Sequence, residues 1–174
     1  MNLFTRGTPW RRWVLFAAVA LLLVGCSQST ASKAGAAKGD STSQAGHHAA
    51  LNEKVQIGAV WSMQLTAAKA SQGTDTDKPS GGNVYLLCDV HVTNTTSQSQ
   101  DLYTVTTFTL LDAQGQLYTS LPLSFVTTPD STLAGGASAS GEIAFLVPAA
   151  TTKFTLVFSS GAGQGYWDIP QISS

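Results

Sequence analysis

From Val84 to Thr93 the chain alternates without a break: Val84, Leu86, Cys88, Val90 and Val92 on one parity, Tyr85, Leu87, Asp89, His91 and Thr93 on the other. Period two is the repeat of a pleated strand, whose successive side chains point to opposite faces. A strand with one continuous apolar face must bury it against a second layer, so this run asks for packed sheets. The same grammar recurs on both sides. Val55, Ile57, Ala59, Trp61, Met63 and Leu65 alternate with polar or small neighbours, with Gly58 placed to bend the run into a short and a longer strand. Ile143, Phe145 and Val147 form an inward face that stops at Pro148; Phe154, Leu156 and Phe158 form another, and Trp167 with Ile169 a last short one before Pro170. Between Val105 and Phe108 the apolar parity changes, which predicts a bulge near Thr106-Thr107. Turn signals fall between the runs at Asp112-Ala113-Gln114-Gly115, Pro129-Asp130 and Gly135-Gly136. Beyond Leu51 there is no helical period. The pattern predicts an all-β, two-sheet antiparallel sandwich of about seven strands.

The amino-terminal part follows other rules. Arg6, Arg11 and Arg12 precede an apolar run, Val14 to Val24, and the run closes on Leu23-Val24-Gly25-Cys26. This is the layout of a bacterial lipoprotein signal: a basic segment, an apolar segment, small residues for a peptidase, and a thiol to form a thioether with a diacylglyceryl group. Trp13 to Gly25 would rise only roughly 20 Å as a helix against a hydrocarbon core of about 30 Å, too short to span comfortably. Residues 1–25 are therefore expected to be a signal peptide recognised through Leu23, Val24 and Gly25, with Cys26 as the lipidated first residue of the mature chain. Residues 26–50, rich in Ser, Ala, Gly, Thr and Gln, cannot bury enough surface to offset their ordering entropy and read as a disordered tether. His47-His48 at its end reads as solvated linker. The folded domain is expected over 51–174.

Composition excludes some functions. The three arginines all lie in the signal; six scattered lysines against ten carboxylates leave the mature part at a formal charge of −4. Nucleic acid and anionic membrane surfaces both need clustered cations, so neither is expected as a ligand. With Cys26 given to lipid, Cys88 is alone and no internal disulfide can form, so the fold must rest on its core.

Three stretches carry a family resemblance. Val90-His91-Val92-Thr93-Asn94-Thr95-Thr96 resembles a strand ending in V-x-V-x-N-x-[ST]. Leu111 to Tyr118 resembles L-D-x-x-G-x-x-Y. Leu133-Ala134-Gly135-Gly136 followed by Gly141 to Pro148 resembles L-x-x-G…G-x-[IV]-x-F-x-V-P. In this order, behind a lipobox, they resemble a bacterial lipoprotein domain-of-unknown-function family that shares the immunoglobulin-like fold of the mycobacterial immunoprotective extracellular protein. The similarity covers Leu51 to Pro170. It implies a secreted or lipid-anchored immunoglobulin-like sandwich with no established enzymatic activity, and it supplies no catalytic residues to carry over.

The remaining chemistry-bearing residues form no recognisable reaction set. Cys88 points inward by parity, away from Asp89 and His91, and reads as an inert buried thiol. His91 is the one histidine beyond the tether that a Ser–His–acid triad could use. The serines of Gly136 to Gly141 lack the strand-turn-helix setting of a nucleophile elbow. Asp75 and Asp77 in the loop Ser71 to Gly82 are candidates for a cation site, as is His91, but two local carboxylates fall short of a calcium set and one histidine of a zinc or copper set. Asn94-Thr95-Thr96 reads as a strand-end cap. Tyr85, exposed by parity beside Leu87, is placed to join a partner patch; Tyr103, Tyr118, Tyr166 and Trp167 read as packing residues, Trp167 inside. The expected function is that of a non-enzymatic, lipid-anchored extracytoplasmic module that binds a protein or another envelope component and uses no cofactor. The alternative is a metal- or small-solute-binding accessory lipoprotein of an envelope transport system.

Overall fold

The computed structural model describes residues 41–42, 46–170 and 172. Among these lie twelve strands and one helical turn: β1 Ser41–Thr42, β2 His48–Ala49, β3 Lys54–Ile57, β4 Trp61–Ser71, β5 Asn83–Asn94, β6 Gln100–Leu102, α1 Thr104–Thr107, β7 Phe108–Asp112, β8 Leu117–Leu121, β9 Ser131–Leu133, β10 Ser138–Pro148, β11 Phe154–Ser160 and β12 Gly163–Ile169. The signal and lipobox residues Leu23, Val24, Gly25 and Cys26 lie outside the described residues. No helix among the described residues is long and apolar enough to cross a membrane.

The hydrogen-bonded order is β1-β3-β4-β5-β10-β8-β7-β11-β12-β2, with β6 and β9 as a separate pair. β8 turns the corner. Its first half pairs with β7 (Leu111↔Leu117, Thr109↔Thr119), and its end passes to β10 (Phe145↔Ser120, Ala144↔Leu121). The strands before and after this corner fold over each other as two layers, and their inner faces meet in one apolar core. Met63, Leu86, Val92 and Phe145 from the first layer bury against Phe108, Leu156, Phe158 and Trp167 from the second. Every inward residue of the Val84 to Val92 run lies in this core, as the alternation requires.

The open side opposite β8 is closed without a ladder. Trp167 is fully buried there and its Nε1 donates to the Glu53 carbonyl at 3.1 Å. Gly58 bends the chain between β3 and β4 at φ +56°, where a Cβ would also sit 2.3 Å from the Ala162 carbonyl oxygen. Both the turn and the close approach of the second layer need glycine at this point.

The structure corrects the sequence reading in several places. Two short strands lie within the expected 26–50 tether: β1 runs parallel to β3, and β2 runs parallel to β12 (His48↔Tyr166, Ala49↔Trp167). Ala49 is fully buried. Two-residue parallel pairs have no length in which to show a period, which is why the segment reads as linker. His47-His48 is paired rather than merely solvated: His47 Nε2 lies 2.9 Å from Glu53 Oε1, and His48 Nδ1 lies 2.7 Å from Asp168 Oδ1 with its ring stacked on Tyr166. The strand count exceeds seven because of such short edge pieces.

The parity change at Thr106-Thr107 marks α1, a single helical turn in a chain expected to have none. Tyr103 provides no side-chain cap. Asp130, 26 residues on, accepts from both the amide and the hydroxyl of the buried Thr104, and its other oxygen accepts from Thr128 at 2.7 Å. Partial burial pushes the Asp130 carboxyl up, but these hydrogen bonds outweigh it and hold it below the ordinary range. A lowered folded value stabilises the fold above the unfolded value and is lost as pH falls through the folded one. Asp130→Asn should therefore cost about 1 kcal/mol at neutral pH, discounted for the exposure of the carboxylate. Wild type and variant should converge in thermal melts as pH drops below about 4.

Candidate functional site

The outer face of the first layer divides into an apolar half and a polar half. At the apolar end Tyr85 and Leu87 are not exposed, contrary to their reading as a partner patch. After β8 the chain doubles back as a strap, and its Leu123, Phe125 and Val126 pack over Tyr85, Leu87 and Ala144 as a second small core. The Phe125 and Tyr85 ring centroids are 6.2 Å apart. Asp77 holds the strap: its Oδ2 accepts from the Ser124 amide at 3.0 Å and from the Ser124 hydroxyl. At the other end of the strap the Glu142 amide donates to the Thr127 carbonyl at 2.8 Å.

Where the strap stops, an open groove of about 550 Å³ begins. Its floor is built by β4, β5 and β10, whose register sets outward side chains side by side: Asp89 against Glu142, His91 against Ser140, Thr93 against Ser138. His91 Nδ1 lies 2.8 Å from Ser140 Oγ, and the Thr93 and Ser138 hydroxyls are 2.8 Å apart. Gln64 and Thr66 of β4 add an amide and a hydroxyl, while Phe125 and Thr127 of the strap form one wall. Thr66 lies at the register shift between Leu65 and Ala67, and its hydroxyl donates to the Asp89 carbonyl at 3.0 Å. Lys69, beyond this shift, reaches Glu142 Oε1 at 2.6 Å.

The charges in the groove are largely answered within the protein. The hydrogen bond to Glu142 raises the Lys69 ammonium against its partial desolvation. Burial pushes the Asp89 carboxyl up; Lys69 opposes this, while the charge and hydrogen bond of Glu142 add to it. Asp89 thus holds its proton more readily than an isolated carboxyl would.

The remaining candidates go elsewhere. Asp75 pairs with Lys78 at 3.2 Å, Asp77 belongs to the strap, and His91 belongs to the groove, so the three do not converge. Among the described residues no group of three or more histidine, cysteine or acidic side chains is arranged to hold a metal ion. Cys88 is fully buried, and desolvation first, then the charges of Asp89 and Glu142, push its thiol far up, away from nucleophilic thiolate. Asn94 is fully buried and acts as a latch, as its place at a strand end predicts. Its Nδ2 lies 2.6, 3.0 and 3.1 Å from the carbonyls of Gln98, Leu133 and Ala134, and its Oδ1 accepts from the amide and hydroxyl of Thr96. Tyr118 packs on Phe154 and donates to Asp112 Oδ2 at 2.9 Å; Tyr103 is exposed. Two depressions flank Asp168 to Pro170 at the end of β12, but Asp168 is already taken by His48 and by the Thr155 hydroxyl. The groove is what sequence reasoning missed. Its signal was the run of polar outward positions in β5 and β10, which becomes a site only once their register is known.

The fold and this surface define an all-β sandwich domain with a filled core and a polar groove on one outer face. Residues 49–168 match the domain-of-unknown-function family DUF4352, and the chain belongs to that family. Among solved structures it is similar to the candidate lipoprotein ycdA of Bacillus subtilis, at 15% identity and a TM-score of 0.56 over 67% of this chain and 38% of that one. It is also similar to the yjhA protein of Bacillus subtilis, at 13% identity and a TM-score of 0.53 over 70% of this chain and 98% of that one. These two show the shared sandwich. The secreted protein MPT63 of Mycobacterium tuberculosis superposes more loosely, at 17% identity and a TM-score of 0.49 over 76% of this chain and all of that one. No curated protein matches the chain.

Proposed function

We propose that the chain is a lipid-anchored module that works outside the cytosol, makes and breaks no covalent bonds in its partner, and holds a protein or another envelope component on the outer face of its first layer. The observation that carries this reading is the groove itself. The interior between the sheets is filled by apolar side chains, whereas the face of β4, β5 and β10 beyond the strap is concave, polar and open to solvent. A surface of that kind suits recognition of something larger than itself, which an enclosed cavity would exclude. The His91–Ser140 contact is read as part of this surface, not as a nucleophile and its base. It uses Nδ1 of an open strand-to-strand pair, with neither the elbow nor the convergent donors that acyl transfer needs. The lipobox ending at Cys26 supplies the address, and the naming of ycdA as a lipoprotein agrees with it.

Fractionation of cells making the full chain tests the address. The protein should sediment with membranes and detach only in detergent, while Cys26→Ser should leave the lipid-bearing fraction, since stable attachment takes more than one acyl chain. An activity-based fluorophosphonate should leave Ser140 unlabelled; labelling abolished by His91→Ala would overturn the non-enzymatic part.

A further inference from the structure

The lining of the groove narrows what it can hold; this inference rests on the reading of that face as the binding surface. An apolar ligand would strip water from Gln64, Thr66, Asp89, His91, Ser140 and Glu142 without replacing the hydrogen bonds that water makes to them. Among the described residues a polyanion would meet two carboxyls and no arginine in the lining; Lys69 is drawn onto Glu142, and Lys54, opposite Gln64 on β3, is not part of the lining. A cation would have to displace Lys69 from a pair whose charge it already answers. What remains is a neutral ligand that both donates and accepts many hydrogen bonds. Carboxylates accept from paired hydroxyls, and the Phe125 ring offers an apolar wall. The Ser140 hydroxyl and the Gln64 amide, one N–H of which is held by the Asn52 carbonyl at 2.7 Å, work in both directions, while the Thr66 hydroxyl, already donating to the Asp89 carbonyl, accepts. The polar rungs repeat every second residue, about 7 Å apart along the strands, so the groove reads a linear ligand better than a compact one. The geometry points to a glycan: the face of β4, β5 and β10 binds an uncharged, polyhydroxylated sugar chain laid along the strands.

Two-dimensional NMR of the processed protein in detergent micelles tests this with two probes, chitotetraose and maltotetraose, at millimolar concentration. At least one tetrasaccharide should shift amides of residues 64–66, 89–93 and 138–142. Ser140→Ala and Glu142→Gln should each weaken the response by about tenfold, equivalent to 1.4 kcal/mol, while leaving the melting temperature within a few degrees. Gln64→Ala, outside the β5–β10 rungs, provides a second variant should either of these unfold. Absence of shifts with both probes, shifts confined to other strands, or binding undiminished in all three variants would overturn the proposal. Shifts on these strands with envelope protein extracts but with neither glycan would also overturn it, while leaving the face itself as a binding surface.

Discussion

Trp167→Ala should be the most damaging single substitution in the folded body, lowering stability by about 3–5 kcal/mol. Trp167 is fully buried on β12 where the two layers meet without a hydrogen-bonded ladder. Its indole fills the space beneath Gly165, whose missing side chain makes room for it: a Cβ there would lie 2.7 Å from the ring. Its Nε1 also answers the Glu53 carbonyl, joining β12 to the segment just before β3. Truncation removes the ring, leaves a cavity that strand backbones on both sides cannot collapse into, and takes away the indole donor to that carbonyl. Denaturant unfolding should show a lower midpoint at unchanged slope. Trp167→Phe, which keeps much of the volume and loses the donor, should recover more than half of the loss. A cost below about 1 kcal/mol for the alanine variant would mean that the layers do not close through this residue.

Asn94→Ala should follow, at about 3 kcal/mol and a fall in melting temperature of roughly 10 °C. One side chain serves three segments: the end of β5, the loop to Gln98 and the turn at Leu133 to Ala137. Its two N–H groups are shared among three carbonyls, and alanine takes the donor from all three, including the buried bond to the Leu133 carbonyl. The tight approach of Gly135 to Ser97, where a Cβ would sit 2.5 Å from backbone carbon, shows how little the turn can shift to compensate. Asn94→Asp keeps the acceptor for Thr96 but loses the donors and adds a buried charge, so it should be no better than alanine. This distinguishes a donor role from simple volume. Burial of the amide also means that the formal sequon Asn94-Thr95-Thr96 offers no accessible nitrogen in the folded protein.

Local rules made much of the sandwich legible. The alternation of Val84 to Val92, the inward faces Ile143-Phe145-Val147 and Phe154-Leu156-Phe158, the bend at Gly58 and the interior position of Trp167 were all carried by neighbours in sequence. Everything that failed depended on distant partners. Tyr85 and Leu87 are outward by parity and yet buried, because the strap that covers them is aperiodic and arrives some forty residues later. His48 reads as linker because its carboxylate is Asp168, 120 positions away. α1 is capped from Asp130 across 26 residues, so no local signature announces it. The groove follows the same logic: His91 and Ser140 are 49 residues apart and meet only through the β5–β10 register.

Hydrogen–deuterium exchange of the protein as isolated from cells, with and without envelope material from the same cells, tests the proposed binding face directly. Protection should rise over residues 64–66, 89–93 and 138–142 and stay unchanged over β11, which lies between β7 and β12 in the second layer. Protection confined to β11 and β12, or no change on any strand, would contradict the account.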